Sequence, residues 1–132
     1  MNPLLIHGLV MGSGLGLMAA AGFISRFLKR KRWWLKTHRA LGIAGAVVLI
    51  PGSVTAFRLV EASSGVHLDA PHTWFGATAL ALSWTAPILG LLAFRIRAHA
   101  VRLRTVHRWT GRLALVAAFL AALSGLDLAG VF

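Results

Sequence analysis

The sequence predicts an all-α integral membrane protein, an up-down bundle of four helices, and three observations carry that prediction. Four apolar runs, at about 3–25, 38–60, 72–94 and 107–130, each have the ~20 residues a helix needs to cross ~30 Å of hydrocarbon. The connectors are about a dozen residues each, short enough to make successive helices antiparallel neighbours. Charge is segregated: 14 Lys and Arg stand against 3 Asp and Glu, and all of the cations but Arg58 gather at the helix ends opposite the acids. Hydrophobic residues make up 58% of the chain and charged ones 13%, with a mean hydropathy of +0.76. The runs use up almost the whole length, so 1–132 is expected to be a single four-helix transmembrane domain.

The first run, "PLLIHGLVMGSGLGLMAAAGFISRF", carries Gly8, Gly12, Gly14, Gly16 and Gly22. Small residues at this density let membrane helices approach closely, and they equally make room for a cofactor. Its opening "MNPLLIHG" has no basic n-region and no small-residue cleavage site, so the run is expected to be retained rather than removed as a signal peptide. The second run contains Pro51, which a membrane helix tolerates with a kink because neighbours satisfy the freed carbonyl. The third follows "HLDAP", where Asp69 is the expected N-cap and Pro71 falls in the first turn. The fourth ends in "SGLDLAGVF". Trp33, Trp34 and Trp109 flank the basic loops and Trp74 lies at the other end, as in an interfacial aromatic belt. Phe57, Trp84 and Phe94 are expected to pack in the core.

The placement of charge sets the orientation. Arg26, Lys29, Arg30, Lys31, Arg32, Lys36 and Arg39 cluster at the first connector, and Arg95, Arg97, Arg102, Arg104, Arg108 and Arg112 at the third. Glu61, Asp69 and Asp127 all fall at the opposite ends. The positive-inside rule then puts the basic loops in the cytoplasm and both termini on the non-cytoplasmic side, in what is expected to be a bacterial inner (plasma) membrane. The basic loops also suit anionic lipid head groups of the bilayer. A net charge of +11 does not here imply nucleic acid, because no residues are left to build a groove or platform for it. The chain has no cysteine, which excludes disulfides, iron–sulfur clusters, thioether-attached haem and thiolate metal sites.

Within the apolar runs the polar exceptions are histidines. His7, His38, His72 and His107 recur at separations of 31, 34 and 35 residues, one near the start of each helix. Because successive helices run in opposite directions, His7 and His72 fall near the outer face and His38 and His107 near the inner face. An ionisable residue inside a membrane span points to function. Two histidines per leaflet are too few for zinc, which wants four ligands around one ion, and no acid lies in the helix cores to make a proton path. A pair of facing imidazoles suits haem iron ligated from both sides, the porphyrin supplying the other four nitrogens. One such pair falls in each leaflet, His7 with His72 and His38 with His107.

A glycine follows three of the four histidines at i+4: Gly42, Gly76 and Gly111. Residue i+4 lies below residue i on the same helix face, where a side chain would meet the edge of a macrocycle. The first helix departs from the pattern with Met11 at this position, a flexible thioether flanked by Gly12. Gly90 and Gly125 stand 18 residues after His72 and His107, five whole turns and ~27 Å further along the same face. They are expected to give room to the second macrocycle. His67 and His99 lie in connectors and are expected to be solvated.

"HGLVM", "THRALG", "APHTWFGATALALSWTAPILGLLAF" and "HRWTGRLALVAAFLAALSGL" resemble the four core helices of the eukaryotic-type cytochrome b561 family, including the form attached to DOMON domains. The resemblance covers most of the chain, and the third segment with its H-x-W-x-G is the most specific part. It implies transmembrane electron transfer between two b-type haems, often from ascorbate, with ligands paired between first and third and between second and fourth core helices. It also implies that Lys36, Arg39, Arg108 and Arg112 meet haem propionates or an anionic reductant near the inner haem. Family members typically add one helix on each side of the core, whereas this sequence holds the four core helices. The activity this implies is that of an oxidoreductase, with ascorbate, quinol or another redox protein as donor and acceptor, in a homodimer or a larger membrane complex. The alternative is a haem-anchoring subunit of a respiratory or reductase complex with no turnover of its own.

Overall fold

Pro3 opens the first helix at a position where its missing N–H costs nothing, and the Asn2 side chain caps the turn by accepting from the Leu4 N–H at 2.9 Å. The structure, a computed structural model, describes residues 2–130. It contains α1 (Pro3–Phe27), α2 (Trp34–Ser63), α3 (Pro71–Arg95) and α4 (Ala100–Leu128), with a 3₁₀ turn over Arg97–His99. Among the described residues every regular element is helical, and four helices are long and apolar enough to cross a membrane. The all-α membrane fold expected from hydropathy is the fold observed.

The helix ends follow local chemistry. α2 stops at Ser64 and Gly65, where Gly65 takes a left-handed φ of +66° and its N–H closes on the Val60 carbonyl at 2.9 Å. Asp69 does not cap α3: Ala70 holds that position with no side-chain bond, and Pro71 begins the helix. Thr73 instead turns its hydroxyl back onto the Ala70 carbonyl at 2.7 Å. α4 begins at Ala100 rather than near 107, so Arg102 and Arg104 belong to the helix and the connector shrinks to 96–99. α2 runs through Pro51 and α3 through Pro87 without a break in either helix. His99 ends the 3₁₀ turn, exposed, and His67 is exposed in the loop after α2 with its Nε2 3.0 Å from Glu61 Oε1.

By its contacts the chain divides between Asp69 and Ala70 into two compact units, each an antiparallel hairpin: α1 with α2, and α3 with α4. The seams are built from small residues. Gly14, Ala21, Gly45, Ala46 and Gly52 are buried in the first hairpin, and Ala79, Ser83, Ala86, Ala114, Ala117 and Ala121 in the second. This is how membrane helices gain contact, since packing rather than water exclusion drives their association. Leu9, Phe23, Ile88, Val116 and Phe119, by contrast, are each more than half exposed, the arrangement for a solvent of lipid tails. Phe57, Trp84 and Phe94, expected in the core, are 60%, 40% and 47% exposed and lie off the seams, which are built mostly of small residues.

Backbone approaches backbone at Gly14 and Gly45. A Cβ added to Gly45 would sit 2.6 Å from Met18 Cγ and 3.0 Å from the Gly14 carbonyl oxygen. Gly45→Val should therefore loosen α1 from α2, at a cost of about 1–3 kcal/mol for overpacking. The check is the thermal midpoint of helical circular dichroism in detergent; an unshifted midpoint contradicts this seam.

Candidate functional site

Each helix carries its histidine at the head of a column of small residues spaced by seven. The columns are His7–Gly14–Ala21, His38–Gly45–Gly52, His72–Ala79–Ala86 and His107–Ala114–Ala121. A spacing of seven keeps residues on one seam between packed helices. In an antiparallel pair the head of one column therefore meets the foot of the other.

The hydrogen bonds follow from that register. His7 Nδ1 lies 3.1 Å from the Gly52 carbonyl oxygen and His38 Nδ1 2.9 Å from that of Ala21. In the second hairpin His72 Nδ1 lies 2.8 Å from the Ala121 oxygen and His107 Nδ1 2.7 Å from the Ala86 oxygen. All four rings are half-buried. A carbonyl oxygen only accepts, so Nδ1 must carry the proton and donate it. In a neutral ring this arrangement leaves the lone pair on Nε2. A second bond of this type orients a metal-ligating histidine, fixes its tautomer and raises its basicity. Thr55 adds to the His7 seat, with Oγ1 3.5 Å from Nδ1 while its hydroxyl donates to the Gly52 carbonyl at 2.7 Å.

The surrounding residues divide by hairpin. Lys36 and Arg39 line an open hollow of about 490 Å³ on α2, together with Arg32, Leu35 and Ile43. The Trp34 ring lies 6.3 Å from that of His38. On α4, the Arg108 guanidinium donates to Thr105 Oγ1 at 3.1 Å and Arg112 lies over the Trp109 ring at 5.0 Å. Gly42, Gly76 and Gly111 face open space, for a Cβ built on any of them meets nothing within 4 Å. Gly90 and Gly125 instead have a histidine ring beside them. A Cβ on Gly90 would meet the His107 ring, and one on Gly125 the His72 ring, so the room at these glycines is taken by an imidazole of the same hairpin.

Over residues 3–132 the chain matches the family model described as eukaryotic cytochrome b561. The chain belongs to the cytochrome b561 family. No curated protein and no solved structure matches it. Membership makes it an integral membrane protein that transfers electrons across the bilayer with b-type haem. The residues present fit that cofactor. The donor set is four imidazoles, each held through Nδ1, and three of them have a smooth helix surface one turn on.

Four carbonyls, of Ala21, Gly52, Ala86 and Ala121, belong to the site although nothing in their side chains advertises it. The signal was in the spacing, as histidine, then a small residue after seven positions, then another after seven more, in all four helices. Reading only the i+4 and i+18 glycines misses it.

Proposed function

We propose that the chain conducts electrons through two b-type haems, one ligated by His7 and His72 and the other by His38 and His107. The observation that carries this reading is the common geometry of the four rings: each gives its Nδ1 proton to a carbonyl of the helix beside it, which leaves the ligating electron pair on Nε2. Bound haem would supply a one-electron Fe(III)/Fe(II) couple, and two histidines on each iron would keep oxygen and substrates off it. The helices hold the imidazoles in place and surround them with apolar side chains. Gly42, Gly76 and Gly111 keep the turn after their histidines smooth against the ring edge.

Charge placement supports an orientation with the basic ends cytoplasmic, in a bacterial plasma membrane, and therefore with His38 and His107 serving the inner haem. Lys36, Arg39, Arg108 and Arg112 then meet propionates, and the hollow at Arg32, Lys36 and Arg39 suits an anionic donor such as ascorbate. Quinol or another redox protein fills the remaining donor or acceptor role.

The test is a redox-titrated optical spectrum of the purified protein with haem quantification. Two haems per chain, a reduced low-spin b-type α band and two resolvable potentials are expected. A folded, colourless preparation overturns the reading, and one haem per chain overturns its two-site form.

A further inference from the structure

Gly90 and Gly125 stand four residues after the carbonyls that receive His107 and His72. In an α-helix the oxygen of residue i lies beside the N–H of residue i+4, so the side chain of i+4 covers one flank of that oxygen. In α3 and α4 that flank is bare. A Cβ on Gly125 would lie 2.8 Å from both Nδ1 and Cε1 of His72. One on Gly90 would lie 3.3 Å from Nδ1 and 3.2 Å from Cε1 of His107. Neither ring is a flexible chain end that can swing aside, because its own helix holds it at one side and the carbonyl bond at the other.

The first hairpin supplies an internal comparison. Four residues after its acceptor carbonyls, Ala21 and Gly52, stand Ser25 and Ala56, both half-buried. There the Nδ1 to oxygen distances are 2.9 and 3.1 Å, against 2.7 and 2.8 Å where the position is glycine. The two hairpins share one register and differ at this position in the way the distances differ.

We infer that Gly90 and Gly125 are positioning residues for His107 and His72: each bares a backbone carbonyl so that the imidazole of the adjacent helix seats against it and donates a shorter bond than Ser25 or Ala56 permits in α1–α2. The inference rests on the two-haem reading. A shorter Nδ1–H···O bond gives the ring more imidazolate character, makes Nε2 the stronger donor and favours ferric iron. Each haem then has one strongly polarised ligand, from α3 or α4, and one less polarised, from α1 or α2. The two substitutions also differ in severity. An added methyl at Gly125 forces a displacement, whereas at Gly90 a few tenths of an ångström suffice.

The experiment compares Gly125→Ala, Gly90→Ala and Ala56→Gly as purified haem-loaded proteins, by redox titration and by the low-spin EPR signals of each haem. Gly125→Ala is expected to keep both haems and to raise the potential of the one bound by His72. The shift is about ten-fold in that haem's oxidised-to-reduced equilibrium, ~59 mV for one electron, with a change in its EPR g values. Gly90→Ala moves the other haem in the same direction and by less. Ala56→Gly uncovers the carbonyl that holds His7 and should lower the potential of the haem that Gly125→Ala raises. Unchanged potentials and g values in Gly125→Ala and Ala56→Gly overturn the inference while leaving the two-haem reading intact. If Gly125→Ala does not fold, Ala56→Gly decides alone: a lowered potential supports the inference and an unchanged one overturns it. Wild-type protein with fewer than two haems overturns the two-haem reading instead.

Discussion

Replacing His38 with alanine should halve the haem bound per chain and leave the remaining haem with its own potential. The fold should survive, because the Nδ1 bond to the Ala21 carbonyl is a neutral hydrogen bond at the foot of the α1–α2 seam, whose buried small residues stay in place. A neutral hydrogen bond contributes about 1 kcal/mol, and in membrane proteins about 0.6 on average. The ligand loss is far larger, since the iron would keep one axial imidazole of two. The informative measurement is the set of double variants. His38→Ala with His107→Ala removes both ligands of one iron, so it should bind as much haem as either single variant. His38→Ala with His72→Ala removes one ligand from each iron and should bind none. Such non-additivity is the signature of residues that act on one group. A His38/His107 double variant that loses all haem would sink the pairing, and so would a His38/His72 double variant that retains half.

Gly76→Leu should abolish one haem while the protein stays folded. The site is one turn after His72, and a Cβ there meets nothing within 4 Å among the described residues. Leucine is a better helix former than glycine by up to about 1 kcal/mol, so α3 itself has no reason to weaken. The same substitution type at Gly45 would strike Met18 and the Gly14 carbonyl and damage the hairpin first. The two glycines therefore separate by readout: at Gly76 haem is lost with helical dichroism and apo-protein melting unchanged, at Gly45 the melting falls. Full haem occupancy in Gly76→Leu would remove the clearance role from Gly42, Gly76 and Gly111 together.

Much of the fold was legible because lipid selects residues one at a time. The four spans, their length and the segregated cations can be counted along the chain without knowing which helix touches which. Where the reading slipped, local backbone chemistry won. The start of α4 was placed near 107 because Arg102 and Arg104 interrupt the apolar run, but arginine is a good helix former and the charged turns carry on the same helix. Asp69 has the right side chain for an N-cap, yet Ala70 and Pro71 supply the backbone geometry instead. The four histidines stood out through their regular recurrence, and the family membership rests on nearly the whole chain. At Gly90 and Gly125 the spacing marks room on a helix face but not its neighbour, and the structure puts the His107 and His72 rings beside them.

The sequence by itself determined an all-helical membrane protein with one histidine near the start of each span and 13 of its 14 cations at one set of helix ends. Only the tertiary structure decided which nitrogen of each imidazole carries the proton and which carbonyl receives it. The reason lies in the period. In a straight helix of 3.6 residues per turn, a column spaced by seven drifts by ~20° per step, so His72 and Ala86 do not share a line along α3. They act on one seam only because α3 and α4 pack closely along it, and close packing depends on the small residues of both helices at once. Hydropathy belongs to a single segment. The bond from His107 to the Ala86 carbonyl belongs to a pair.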